Sequence, residues 1–179
     1  AEDLQQERVR LTNRIRQQLW RYYPQLLALS DDLTAEWILE LWRLAPTPAK
    51  AARLREATLA SLLRRHRIRR LKGADVLEIL RQPAITVAAG VTEAAVLHLR
   101  SLIARLRLAN AEFCQAEQKL DELCAKLSQN AAAATQGPCD AEILRSMPGI
   151  GTAILAILIT EAGDPLARRD YAALRTLSG

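Results

Sequence analysis

Leu4, Leu11, Ile15, Leu19 and Tyr22 recur at helical spacing, which predicts one amphipathic helix over residues 2–23. Arg8, Arg10, Arg14, Arg16 and Arg21 are spread over its other faces. Pro24 ends it, because the residue before a proline is pushed out of the helical region. Asp31, Asp32 and Thr34 offer caps for a second helix reaching about Leu44 and carrying Trp37, Ile38, Leu41 and Trp42. Thr47-Pro48, a cap followed by a first-turn proline, starts a short helix. Thr58 can cap another over roughly 58–66, Gly73 permits a turn, and a last short helix over about 73–81 stops before Pro83. These short helices with frequent breaks predict a compact subdomain over 31–91.

From Thr92 to about Gln129 the pattern changes. Leu99, Leu106, Phe113, Leu120 and Leu127 are seven residues apart, with Leu102, Ala109, Ala116 and Leu123 at the matching d positions. A 3.5-residue period held over four heptads predicts a left-handed coiled coil over 92–130, roughly 57 Å long at 1.5 Å per residue. Its partner is the antiparallel helix 2–23 of the N-terminal stalk segment 1–30, another copy of the chain, or both. Small Ala109 and Ala116 at d, with Asn110 at e, weaken a lone coil and suit close packing on a second helix of the same chain. The two long helices flank the short ones in sequence, so a hairpin stalk with the subdomain at its tip is the simplest arrangement. Ala131–Ala134 with Thr135, Gln136, Gly137 and Pro138 reads as a loose linker over 131–139.

Composition agrees with an all-α chain: half of the 179 residues are apolar, only 4% are aromatic, and Ala, Leu, Arg, Glu and Gln dominate. The formal charge of +5, with a pI near 9.5, fits a polyanionic partner but is shared by many proteins of other functions. Cys114, Cys124 and Cys139 are odd in number and without metal-ligand spacing, and His66 and His98 lack a ligand-spaced partner. A reduced, cytoplasmic setting without a bound cofactor is expected. No apolar run approaches the ~20 residues of a membrane span. The first residues are polar and helical in pattern, unlike a signal peptide, so the chain is expected to begin, and at Gly179 to end, inside an element.

The most chemically specific segment lies in 140–179. Asp140 can cap a helix through Arg145, Met147-Pro148 ends it, and Gly149-Ile150-Gly151 turns tightly into a helix from Thr152 to about Ala162. The glycines let the backbone approach a ligand, and the amides at the new N-terminus form a ready anion site. Gly149, Ile150, Gly151 and Thr152 are therefore candidate nucleic-acid-binding residues of a helix–hairpin–helix, Thr152 through its hydroxyl. Ile150 is expected to plug the gap between the helices, with Leu144, Met147, Ile154, Leu155 and Leu158 as the seam. The bland alternative is a helical corner without a ligand.

Arg64, Arg65, Arg67, Arg69, Arg70 and Lys72 form a second candidate surface, dense enough to set against the usual reading of a solvated helix face, and Arg14 is a third. Asp31 and Asp32 read as caps and Asp164, before Pro165, as a turn former. A glycosylase-like repair enzyme would follow such a hairpin with a catalytic aspartate, but would need an aromatic base pocket. A structural coiled-coil scaffold is the other alternative.

The run Leu144-Arg145-Ser146-Met147-Pro148-Gly149-Ile150-Gly151 is followed by Glu161-Ala162-Gly163-Asp164, Tyr171-Ala172-Ala173-Leu174 and Ser178-Gly179. This pattern resembles the C-terminal domain of insertion-sequence transposases of the IS-one-ten type, the DEDD transposases guided by a bridge RNA. Tyr23-Pro24, Pro46-Thr47-Pro48 and the long coil resemble the family's middle region, so the resemblance covers essentially all 179 residues. It implies a parent enzyme that cuts and rejoins DNA during transposition, with a serine nucleophile and a magnesium-binding acidic domain. Nothing here corresponds to that domain. The nucleophile falls just beyond the position of Gly179, and Ser178 is not its counterpart. This stretch is accordingly expected to have no catalytic residues and to bind DNA and a guide RNA, with homo-oligomer contacts through the coil.

Overall fold

The computed structural model of the chain describes residues 2–134 and 140–178. The expected linker residues Thr135, Gln136, Gly137 and Pro138, and Cys139 and Gly179, lie outside the described residues. Among those described, every element is helical: α1 (Glu2–Tyr22), a 3-10 segment (Pro24–Leu29), α2 (Glu36–Leu44), α3 (Pro48–Ala52), α4 (Glu56–Arg65), α5 (Gly73–Leu80), α6 (Ala89–Ala134), α7 (Asp140–Ser146), α8 (Thr152–Arg168) and α9 (Tyr171–Ser178). The chain is all-α, as its composition and periodicity predict. It forms two compact units, meeting between Glu112 and Phe113 within α6. No helix among the described residues is long and apolar enough to cross a membrane.

The N-terminal unit has one core. Leu11, Ile15, Leu19 and Tyr22 of α1 are buried with Leu99, Leu102, Ile103, Leu106 and Ala109 of α6. Arg8 Nε donates to Asn110 Oδ1 at 2.8 Å, and Ile15 and Leu19 line the same small void as Leu99 and Ile103. Residues early in α1 thus meet residues late in this part of α6, so the two helices run antiparallel within one chain. Ala109 suits that close approach. Burying each of these large side chains contributes roughly 1.5–3 kcal/mol.

The short helices do not sit beyond the end of this pair. Trp37, Ile38, Leu41 and Trp42 of α2 join the same core. Asn110 Nδ2 donates to Thr34 O at 3.1 Å, and Arg107 pairs with Glu36 at 2.5 Å. The apolar face of α2 is too large to remain open, and the α1–α6 groove covers it.

Local signals hold in part. Thr47 caps α3, its hydroxyl accepting from Lys50 N–H. Asp32 instead closes a turn onto Thr34, and α2 starts without a side-chain cap. The helix expected from Thr58 starts at Glu56. Gly73 opens α5 rather than a loop: a Cβ there would lie 3.0 Å from Glu56 O and 3.1 Å from Ala60 N, so its role is close packing of α5 on α4. The long helix α6 begins before Thr92 and continues through Ala131–Ala134, which were expected in the linker; alanine is the best helix former. Past Glu112 its heptad face is less covered. Leu123 and Leu127 are about half exposed, and Cys124, off the stripe, is buried. A straight helix drifts about 20° per heptad relative to a 3.5-residue repeat, which turns a long stripe away from its first contact.

Candidate nucleic-acid interface

In the C-terminal unit, Cys124, Ala141 and Leu155 form a small buried cluster, with Leu144, Ile150, Ala156 and Ile159 packed against it. Ile150 thus occupies the position expected of it. Met147 and Ile154 do not: both are nearly half exposed, and their expected places in the seam are taken by Ala141, Ala156 and Cys124. The turn between α7 and α8 sets Gly149 at φ +89°, in the left-handed region, whereas Gly151 at φ −80° is extended backbone open to any residue. A Cβ at Gly151 would meet nothing within 4 Å. The fold therefore needs glycine at 149 and not at 151.

Ile150 N–H bonds back to Met147 O at 3.3 Å; the amides of Gly149 and Gly151 make no such backbone bond among the described residues. Together with the first turn of the 17-residue α8 they form a patch of unsatisfied donors. The Thr152 hydroxyl, expected to help there, donates to the Asp121 carboxylate of α6. That partner lies 31 residues away in sequence, beyond the reach of a local reading. Asp121 is thus a carboxylate held beside the N-terminus of α8.

Downstream, α8 runs straight through Asp164-Pro165 and ends instead at Arg169, left-handed at φ 56°. Asp170 N–H bonds back to Pro165 O at 2.9 Å, and the Asp170 carboxylate caps α9 through Ala173 N–H at 3.0 Å. Asp164 is thus helical and exposed rather than a turn former. Pro165 lies inside the helix, so the bond a backbone N–H would have made to Glu161 O is missing there.

The basic run 64–72 has a definite architecture. Arg64 and Arg65 close α4, where positive charge complements the carbonyl end of a helix. Arg67 takes the left-handed conformation at φ 57°, and Ile68 N–H reaches back to Leu63 O at 2.9 Å, a helix ending that ordinarily uses glycine. Ile68 and Leu71 pack on the core, which fixes the loop and leaves Arg64, Arg67, Arg69, Arg70 and Lys72 exposed. Arg65 is the member that is tied down: its guanidinium meets Glu40 Oε1 at 2.7 Å, while His66 Nε2 meets Oε2 at 2.7 Å. The His66 hydrogen bond, with help from Arg65, holds the Glu40 carboxyl below the usual carboxylate range. Arg70 comes within 3.5 Å of Ser30 Oγ, too far for a strong bond. Arg64, Arg67 and Arg69 have no ion pair among the described residues, and Arg14 stands exposed on the outer side of α1.

Charge is divided unevenly. Residues 113–179 hold six Arg or Lys against eight Asp or Glu, a net −2, so residues 1–112 carry +7 of the total +5. The hairpin candidate therefore sits on the mildly acidic unit and has backbone amides rather than cations to offer. The Arg64–Lys72 loop sits on the strongly basic one. The described residues contain no group of three or more His, Cys, Asp or Glu able to hold a metal ion.

The class these features define is an all-helical chain with a basic unit and a second unit that carries the Gly149–Gly151 turn. Its relatives are transposases by name. The chain is 70% identical over 70 residues, 39% of its length, to the protein y4uE of Sinorhizobium fredii, of which those residues make up 20%. It is 32% identical over 186 aligned positions, 96% of its length, to the IS117 mini-circle protein of Streptomyces coelicolor, covering 41% of it. The chain thus spans less than half the length of either relative. No family model matches it, and no solved structure does.

Proposed function

We propose that this chain is a nucleic-acid-binding and assembly segment of a DNA transposase, and that the whole protein cuts and rejoins DNA during insertion-sequence transposition. The similarity to two proteins named as transposases, one along 96% of the chain, supports that assignment. The single observation carrying the binding role is the Arg64–Lys72 loop, fixed by Ile68 and Leu71 with its cations turned outward on a unit of net +7. Cations on a loop whose backbone is already anchored can neutralise phosphates and release counterions without the loop itself having to be ordered.

In this reading the Gly149–Gly151 hairpin adds a backbone grip on phosphate through amides. DNA and a guide RNA of the IS-one-ten type are the partners, and the setting is cytoplasmic. Magnesium and the catalytic serine belong to parts of the parent beyond these residues. Leu123 and Leu127, half exposed on α6, supply the assembly surface for a second copy. A scaffold without nucleic acid would leave the uncompensated arginines without a role.

The test is duplex DNA and structured RNA binding across a salt series. The triple change Arg64→Gln, Arg67→Gln and Arg69→Gln is expected to weaken binding and to lower the salt slope by about 2–3. Unchanged affinity and slope in a folded triple variant would remove the loop from the interface.

A further inference from the structure

We propose that the outer face of α1 around Trp20 is a stacking platform for single-stranded nucleic acid. Of the chain's three tryptophans, Trp37 and Trp42 are buried at 4% and 3% exposure, whereas Trp20 is 67% exposed. Trp20 sits off the Leu11–Ile15–Leu19 stripe that α1 buries, so its exposure follows from its register on the helix. An indole held open to water in this way has no role in the core.

The surroundings state what the indole suits. Trp20 lines an open groove of roughly 530 Å³ with Asn13, Arg16, Gln17, Arg21 and Leu27. These are cations, amides and one aliphatic wall, with no carboxylate. From Arg8 to Ser30 the chain holds five arginines and no Asp or Glu; the next acids are Asp31 and Asp32. Arg16 is steadied by donating to Asp31 O at 3.0 Å, while Arg10, Arg14 and Arg21 are exposed without an ion pair among the described residues. Of these, Arg16 and Arg21 line the groove beside Trp20. Cations flanking an exposed aromatic are an arrangement by which proteins hold unpaired strands, the bases stacking on the ring and the phosphates meeting the charge. Duplex bases are already stacked and cannot use the ring. A second copy of this face would bring arginine against arginine, and protein interface cores are depleted in charge, so charge complementarity favours the polyanion.

This inference rests on the nucleic-acid reading above but uses another surface and another form of nucleic acid, so the two can fail separately. The probes are a twelve-nucleotide oligothymidylate, the matching oligouridylate, and a duplex, with the 179-residue chain and its Trp20→Ala and Trp20→Phe variants. Binding of either single strand should quench tryptophan fluorescence. Trp20→Ala should abolish the quench and weaken single-strand binding roughly 5- to 150-fold while sparing the duplex, and Trp20→Phe should keep most of the affinity. Single-strand affinity unchanged in Trp20→Ala overturns the platform, as does single-strand binding absent from a wild-type chain that still holds the duplex. Absence of binding to all three probes overturns the nucleic-acid reading itself. If light scattering shows that Trp20→Ala converts an oligomer to a monomer at constant single-strand affinity, the face belongs to a second copy and the platform is excluded.

Discussion

Trp42 Nε1 donates to the Tyr22 hydroxyl at 3.1 Å, and that hydroxyl in turn donates to Pro46 O at 2.8 Å. This relay ties α1 and α2 to the turn before α3 inside the core. The neighbouring Tyr23 is equally buried, yet its hydroxyl has no partner among the described residues. Two adjacent tyrosines thus have opposite energetics.

Tyr22→Phe should cost on the order of 2–3 kcal/mol, because it leaves the Trp42 N–H and the Pro46 carbonyl buried without partners. Tyr23→Phe should be neutral or stabilising by up to about 1 kcal/mol, since it removes a hydroxyl that gains nothing. Urea denaturation midpoints of the two variants decide this, and equal losses would refute the distinction. Burial pushes the Tyr22 phenol up to about 12 and raises Tyr23 as well. The unfolded chain therefore releases these protons first, and stability should fall as pH rises from about 10 toward 12.

The Glu40–His66–Arg65 cluster makes an acid-side prediction. Glu40 titrates lower in the folded chain than in the unfolded one, chiefly because His66 hydrogen-bonds its charged form. Its contribution is therefore present above the unfolded carboxylate range, near pH 4.3, and is lost as pH falls through the lower folded value. Glu40→Gln should cost about 1–3 kcal/mol at neutral pH, because the amide keeps only one acceptor oxygen where Arg65 and His66 each had their own, and it loses the charge. The difference from wild type should shrink in acid. A gap that persists unchanged at pH 3 would assign the loss to packing instead.

How far these features could be read from sequence depends on their range. The stripe of α1, the turn of Gly149 and the cap at Thr47 rest on neighbours within a few residues, and they are where periodicity puts them. The buried stripe of α6 from Leu99 to Ala109 was legible too, and with it the small Ala109 that suits an intrachain partner. What could not be read were long-range pairings. Asp121 engages Thr152 from another helix, Glu40 reaches Arg65 from α2, and Gly73 proves to be a packing contact because α4 lies 3.0 Å from its missing side chain. The exposure of Trp20 was within reach, since it follows from helical register alone. Counting charge over the whole chain hid its concentration in residues 1–112.

Arg67 separates stability from binding in one residue. An L-residue in the left-handed conformation costs roughly 1–2 kcal/mol, and glycine there avoids the strain while adding freedom to the unfolded chain. Arg67→Gly should thus be neutral to about 1 kcal/mol more stable, and Arg67→Ala should gain nothing. Both should lose the same fraction of duplex affinity, because both delete one outward cation. A thermal melt and a binding isotherm on each variant suffice. If Arg67→Gly binds like wild type, the cation faces no phosphate.

The hairpin can be tested by the contrast between its two glycines. Gly149 is left-handed, so Gly149→Ala should cost about 1–2 kcal/mol in stability whatever the hairpin binds. Gly151 is extended and a Cβ there meets open space, so Gly151→Ala should leave the melting temperature within a degree or two. If phosphate is held by the amides of this turn, the same methyl stands where the backbone must approach its ligand, and duplex affinity should fall about tenfold. Asp121→Asn offers the converse: it withdraws the built-in anion beside Thr152 and should strengthen binding while weakening the Thr152 contact. A folded Gly151→Ala chain with wild-type affinity, together with an Asp121→Asn chain that binds no better, would leave the turn as a plain helical corner and the basic loop as the grip.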